Sequence, residues 1–153
     1  QKRKYHHDII GVNSRLDTLQ AAILKVKLNY LDEYARKRNE VASNYDANLS
    51  GNRAIDIPFR SSNSTHVFHQ YTLKLNGLNR DDFKNYLAAN GVPTMVYYPV
   101  PLHLQKAYFQ PDFGEGSFPV TEKLSETVIS LPIHTEMSGE QLDFIVSTIK
   151  GYQ

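Results

Sequence analysis

The sequence contains no cysteine. That absence excludes disulfide frameworks, cysteine nucleophiles and thiolate metal sites, and it fits a reducing compartment. An excess of one charge is missing too, with 17 Lys and Arg against 16 Asp and Glu and a formal net charge of +1. Such a balance gives no electrostatic drive toward nucleic acid or an anionic membrane, so neither is expected as a partner. No apolar run reaches the length of a membrane span, and the N-terminus has no signal-peptide core. A cytoplasmic protein is the resulting expectation. The dense basic run Gln1-Lys2-Arg3-Lys4 stands at the chain end, where a solvated terminus is expected. The first residue is Gln rather than Met, within a polar stretch, which suggests a segment cut from a longer chain.

What remains is the material of an ordinary globular domain. The 153 residues are 41% hydrophobic and 22% charged, enough for one domain with a real core. Residues 1–12 read as an irregular lead-in carrying Tyr5, His6 and His7. Asn13 and Ser14 are good N-cap types with Asp17 three residues after Ser14, so a helix is expected to start there. Leu16, Leu19, Ala22, Ile23, Val26 and Tyr30 recur at helical spacing as one stripe expected to be buried. The period continues through Leu31, Val41, Ala42, Tyr45 and Leu49, as one long helix or as two joined near Lys27–Tyr30, and Gly51 closes it.

Further along, a short strand is expected around Ala54–Ile57 and another over Val67–Leu75. Asn79 caps a helix of roughly ten residues that stops at Asn90-Gly91. The β-branched and aromatic run Pro93–Tyr98 reads as a strand, and Pro99-Val100-Pro101 stiffens the loop after it. Val120–Val128 reads as a helix, Ile129–Pro132 as a strand, and Ser138 opens a last helix to Lys150. The order predicts an α+β fold, with a long N-terminal helical segment over residues 1–50 and a small sheet backed by helices over residues 51–153.

Three segments, in order, resemble the DegT/DnrJ/EryC1/StrS family of sugar aminotransferases. The run from Tyr5 to Leu24, with Gly11-Val12-Asn13-Ser14-Arg15-Leu16-Asp17-Thr18-Leu19-Gln20-Ala21-Ala22 at its heart, is similar to the family's G-x-N-x-R-L-D-x-L-Q-A-A motif. Gly91-Val92-Pro93-Thr94 leading to Tyr97-Tyr98-Pro99-Val100-Pro101-Leu102-His103-Leu104-Gln105 resembles a second motif, and Ser130-Leu131-Pro132-Ile133-His134 a third. The resemblance implies the small C-terminal domain of an aspartate-aminotransferase-like, fold type I enzyme that uses pyridoxal 5'-phosphate. It implies amino transfer from a donor such as glutamate to a nucleotide-linked ketosugar, within a homodimer. The loop around Tyr97–His103 looks closest to relatives acting at C3 of acetamido sugars. The family's Schiff-base lysine, its aspartate partner of the pyridine nitrogen and its ring-stacking aromatic all lie upstream of the matched region. None of the ten lysines here stands in that lysine's context, so no catalytic residue is assigned and the chain alone is not expected to transaminate.

The resemblance also assigns binding roles, each beside a plainer one. Asn13 would reach the cofactor phosphate of the neighbouring subunit, or simply cap a helix. Arg15 suits bidentate contact with a nucleotide diphosphate or a sugar carboxylate. Its plain alternative is a salt bridge with Asp17 or Asp8. Tyr97 and Tyr98 end the expected strand, where phenols can hydrogen-bond a phosphate or cover a sugar face, or one of them can pack in the core. The family often carries His at the Tyr97 position. His103 is a substrate neighbour or a packing residue. His66 with His69, and the pair His6-His7, lack an Asp or Glu at metal-ligand spacing, so no metal site is expected. Two non-catalytic readings stand beside the enzyme: a module that dimerises through the long helix, and a regulatory relative that binds nucleotide sugar.

Overall fold

A computed structural model of the chain describes residues 4–152, and the expectation for Gln1, Lys2 and Arg3 falls outside them. Two helices open it, α1 (Thr18–Leu28) and α2 (Leu31–Leu49). Strands β1 (Ile55–Asp56) and β2 (Tyr71–Leu75) follow, then α3 (Arg80–Ala89) and two single 3-10 turns at Leu102–Leu104 and Lys106–Tyr108. The chain finishes with α4 (Pro119–Thr127), β3 (Val128–Leu131) and α5 (Gly139–Lys150).

The three strands form one antiparallel sheet in the order β1-β2-β3, with Ile55 opposite Leu75 and Leu73 opposite Ile129. Tyr71, Leu73 and Leu75 are buried, while Thr72 and Lys74 between them are less so, as the two-residue period of a strand requires. Onto the buried face come Val41, Ala42, Tyr45 and Leu49 of α2, Phe83 and Leu87 of α3, and Leu142, Ile145, Val146 and Ile149 of α5. The second half of α2 is thus part of the sheet's own core. Two phenols in this core are hydrogen-bonded: Tyr45 donates to the Pro132 carbonyl at 2.8 Å, and Tyr71 to Asp46 at 2.6 Å. Asp46 also receives Arg60 Nε at 2.6 Å, and the Arg60 guanidinium lies 4.5 Å from the Phe68 ring centre.

Local signals placed most helix ends. Asn79 accepts from the Asp81 and Asp82 amides at the start of α3. Ser138 and Gln141 form a reciprocal capping box on α5. Pro119 occupies the first turn of α4, where its missing N–H costs nothing.

Four expectations are corrected. The first helix begins at Thr18, capped by Asp17, which accepts the Gln20 amide at 2.7 Å. Asn, Ser and Asp cap about equally well, so cap preference alone did not choose among Asn13, Ser14 and Asp17. The helical segment, for its part, takes the two-helix form that the spacing allowed, broken at Asn29 and Tyr30. The stripe expected to be buried is exposed in this chain, with Leu16 61%, Leu19 72% and Val26 62% accessible and no residue of α1 in the core. The strand expected over Pro93–Tyr98 is a single antiparallel bridge, Met95 to Ser130. Pro93 lacks the N–H a ladder needs, and Tyr98, at φ 58°, turns the chain out of extension. Similarly, Phe68 at φ 46° delays β2 until Tyr71.

Candidate functional site

The loop after the Met95 bridge builds one wall of a cleft of about 510 Å³. Tyr97 is half-buried and Tyr98 is 69% exposed; with no strand here, the left-handed turn at Tyr98, not alternation, sets the two rings apart, and neither is in the core. Tyr98 holds φ 58° immediately before Pro99. Both the bulky side chain and the following proline disfavour that conformation. Backbone held in so sparsely populated a region is concentrated at functional sites, where the surrounding structure enforces it. Here it throws the phenol outward at the lip of the cleft.

The lead-in crosses this loop and completes the site. The Tyr5 ring meets Tyr98 at 5.5 Å and Tyr97 edge-on at 6.0 Å. Tyr5 too has a left-handed backbone, φ 65°. The result is a cluster of three phenols drawn from two segments more than ninety residues apart. Beneath it Gln105 is 6% exposed, one of two buried polar side chains among the described residues. Its Oε1 accepts the His7 amide at 2.9 Å, and its Nε2 donates to the Tyr5 carbonyl at 2.8 Å and the Val100 carbonyl at 3.2 Å. Ala107 returns a backbone bond to the His7 carbonyl at 3.0 Å. Tyr108, Thr121 and Ser125 add hydroxyls along walls otherwise made by Val100, Leu102, Leu124 and Val128. An apolar concavity with a few convergent hydroxyls is the usual form of a small-molecule site.

His103 faces elsewhere. Its Nε2 lies 2.9 Å from Glu122 Oε1, and its ring stands edge-on to Phe118 at 4.8 Å, in a neighbouring hollow that shares Leu102, Tyr108 and Thr121 with the cleft. Glu122 in turn accepts the Gly116 amide at 2.8 Å and the Phe118 amide at 3.1 Å. Those backbone donors, and then His103, hold its carboxyl below the usual range. The pair fastens the 114–118 turn to the loop, which is what the packing alternative for His103 describes. Asn13 and Arg15 stand apart from the cleft, in the exposed non-helical stretch before Asp17. With Asp17 as cap, Asn13 does not cap the helix, and its carboxamide faces solvent. Sequence reasoning missed Tyr5 and Gln105 as members of the site. The one local sign was Gln105, a polar residue closing the Pro-Leu-His-Leu-Gln motif.

Among the described residues no group of three His, Cys, Asp or Glu is placed to hold a metal ion, and no helix is long and apolar enough to cross a membrane.

A family model described as the DegT/DnrJ/EryC1/StrS aminotransferase family matches residues 1–150. The chain is 39% identical over 150 residues to dTDP-3-amino-3,6-dideoxy-alpha-D-galactopyranose transaminase from Aneurinibacillus thermoaerophilus, covering 98% of this chain and 40% of that protein. It is 40% identical over 149 residues to UDP-2-acetamido-2-deoxy-3-oxo-D-glucuronate aminotransferase from Pseudomonas aeruginosa, covering 97% of this chain and 40% of that one. Among solved structures, it superposes on a DegT DnrJ EryC1 StrS aminotransferase from Brucella abortus with a TM-score of 0.80 and 36% identity, covering 99% of this chain and 39% of the other. It also superposes on NtdA from Bacillus subtilis with bound cofactor PMP, at a TM-score of 0.76 and 30% identity over 92% of this chain and 33% of the other. The chain therefore spans about 40% of the length of the curated relatives it matches.

Proposed function

The chain belongs to the DegT/DnrJ/EryC1/StrS aminotransferase family, and we propose that it forms the sugar-facing C-terminal part of an enzyme that transfers an amino group from an amino acid, glutamate in the simplest case, to a nucleotide-linked ketosugar. The observation that carries this is the tyrosine-lipped cleft, to which two of the three segments that resemble the family contribute, with α4 and the start of β3 completing its walls. Phenols offer donors and acceptors to sugar hydroxyls, and their faces cover the apolar side of a pyranose ring. The relatives quoted above are named for dTDP- and UDP-linked sugars bearing the amino or oxo group at carbon 3. A ketone at that position of a nucleotide-linked sugar is the substrate class we assign.

The pyridoxal cofactor, when bound, supplies the electron sink that lets an amino group move between two carbon skeletons. The residues lining the cleft include no lysine and no carboxylate. The residues of this cleft thus fit a supporting role around that cofactor and do not build its covalent anchor. Asn13, exposed and free of capping duty, would donate from its amide to the cofactor phosphate of a neighbouring subunit. Arg15, exposed two residues on, would grip the nucleotide diphosphate through its planar fork. Tyr97 and Tyr98 would orient the ketosugar and shield it from water. His103, bonded to Glu122, would hold the loop that carries them.

A partner subunit is part of the reading. α1 shows apolar side chains on several sides, among them Leu19, Ile23, Leu24 and Val26, all more than half exposed. A contiguous set of exposed apolar side chains marks an interaction face, so the assembled protein would cover it, most simply in a homodimer. The same helix favours the non-catalytic dimerisation module as a second reading. The cytoplasm is the compartment we assign, the one that suits a cysteine-free chain.

The test is steady-state kinetics on the full-length enzyme with a nucleotide-linked 3-ketosugar and glutamate, following 2-oxoglutarate release. Arg15→Ala should raise KM for the sugar nucleotide by about tenfold or more, the worth of one charge-assisted contact. Melting temperature should stay unchanged. Turnover absent with every nucleotide ketosugar, or kinetics indifferent to Arg15, would leave the dimerisation module as the better account.

A further inference from the structure

We propose that Gln105 is a positioning residue for the sugar cleft. Its buried carboxamide ties the lead-in residues Tyr5–His7 onto the 97–108 loop, and so decides where the Tyr5 ring sits against Tyr97 and Tyr98. The inference rests on the reading of the cleft as the ketosugar site.

A primary amide has two N–H donors and one carbonyl acceptor, and Gln105 uses all of them across the gap between two segments. Oε1 takes the His7 amide; Nε2 gives one proton to the Tyr5 carbonyl and the other to the Val100 carbonyl. No carboxylate, ammonium or hydroxyl of similar length meets that demand for one acceptor and two donors in fixed directions. The side chain is 6% exposed, so any of the three left unmet loses water as well as its partner. Ala107 adds the one backbone bond between the segments at 3.0 Å, and Lys106 with Asp8 adds a long contact of 4.0 Å between exposed groups. An exposed pair at that distance contributes little, and the Tyr5 ring contacts with Tyr97 and Tyr98 are not directional bonds, which leaves the carboxamide as the main polar fastening.

Gln105 borders the cleft, but it is 6% exposed and its acceptor and both donors are taken by His7, Tyr5 and Val100, while the tyrosines stand at the lip. Its effect on substrate is therefore indirect. Without it the lead-in keeps one backbone bond, the long Lys106–Asp8 contact and the Tyr5 ring contacts, too little to fix where the Tyr5 ring sits against Tyr97 and Tyr98.

Two variants of the full-length enzyme separate positioning from general stability. Gln105→Leu keeps the approximate volume and removes all three bonds. Amide hydrogen exchange over residues 4–9 should quicken by about tenfold or more, while KM for the sugar nucleotide rises by about tenfold and kcat changes by less than about twofold. Gln105→Glu provides the internal control. Its carboxylate still accepts from His7 but faces the Tyr5 and Val100 carbonyls with no proton to give. When protonated it regains one donor. Burial and two facing carbonyl oxygens push that carboxyl above its usual range, so its KM and exchange penalties should be large at pH 8 and shrink toward pH 6. The ionisable groups nearby are His7, Tyr5, Tyr97, Tyr98, Tyr108, Lys106 and Asp8. They are common to wild type and variant, so the pH profile is read as the ratio of the two.

Recovery of Gln105→Glu at low pH supports the proposal and shows that the variant folds. Exchange over residues 4–9 unchanged in Gln105→Leu overturns it, because the strap is then held by something else. Faster exchange with KM unmoved overturns it too, since the strap would not position anything the substrate meets. Absence of turnover in the wild-type enzyme would instead defeat the functional reading, and the exchange data would still decide whether Gln105 holds the strap.

Discussion

Replacing Tyr71 by phenylalanine should destabilise the protein at neutral pH by an amount that disappears in alkali. The Tyr71 ring is fully buried, and its hydroxyl gives Asp46 a 2.6 Å hydrogen bond while Arg60 occupies the other carboxylate oxygen. Removing the hydroxyl deletes one bond to a charged acceptor, which typically costs about 1.5–3 kcal/mol. Burial first, then the bond to Asp46, pushes the Tyr71 phenol far above its ordinary value of 10.0. The folded pKa therefore exceeds the unfolded one, so the contribution is fully present below pH 10 and is lost as pH climbs beyond it. Above pH 10 only the unfolded wild-type chain releases this proton, which lowers wild-type stability by about 1.4 kcal/mol per pH unit. The variant's phenyl ring has no proton to release. A penalty of about 2 kcal/mol at pH 8 should thus vanish near pH 11.5. Urea unfolding of both proteins at half-unit steps from pH 8 to 11.5, followed by far-ultraviolet circular dichroism, gives the difference directly. A gap that stays constant across the range would refute the reasoning, because it would mean that Tyr71 ionises equally well folded and unfolded.

Three further outcomes follow from individual contacts. Glu122→Gln should flatten the acid side of the stability curve: the native carboxyl is held low by the Gly116 and Phe118 amides and by His103, so wild type loses that contribution as pH falls from 4.5 through the lowered value, and the variant has none to lose; melting temperatures between pH 3 and 6 check it. Ser138→Ala removes half of the α5 capping box and should cost about 1 kcal/mol in a denaturant titration at pH 7. Tyr98→Gly should change stability by less than about 1 kcal/mol, because relief of the φ 58° backbone offsets lost ring contacts and added chain freedom. In the full-length enzyme the same substitution should raise KM for the nucleotide sugar. A strongly destabilised protein with normal KM would make Tyr98 a packing residue.

How far the sequence reached depended on the range of the interaction concerned. Helix α3 with its Asn79 cap, the Ser138–Gln141 box, the stop at Asn90-Gly91 and the α+β order were legible, since each is decided within three or four residues. The three segments Tyr5–Leu24, Gly91–Gln105 and Ser130–His134, in order, placed the chain in its family. The local pattern pointed to Asn13 and Ser14 as the cap, yet Asp17, an equally good cap type a few residues on, caps α1. The run Pro93–Tyr98 had strand composition, yet left-handed Tyr98 and donorless Pro93 prevent a ladder from forming there.

Composition and local pattern by themselves determined that this is a cysteine-free, near-neutral α+β domain. Only the tertiary structure decided that Tyr5 joins Tyr97 and Tyr98, that His103 turns to Glu122, and that Gln105 reaches back 98 residues to His7. Capping and periodicity act along the chain and leave a trace in neighbouring residues. A buried carboxamide finds its three partners only after the sheet has brought two distant segments together, so no local spacing records it.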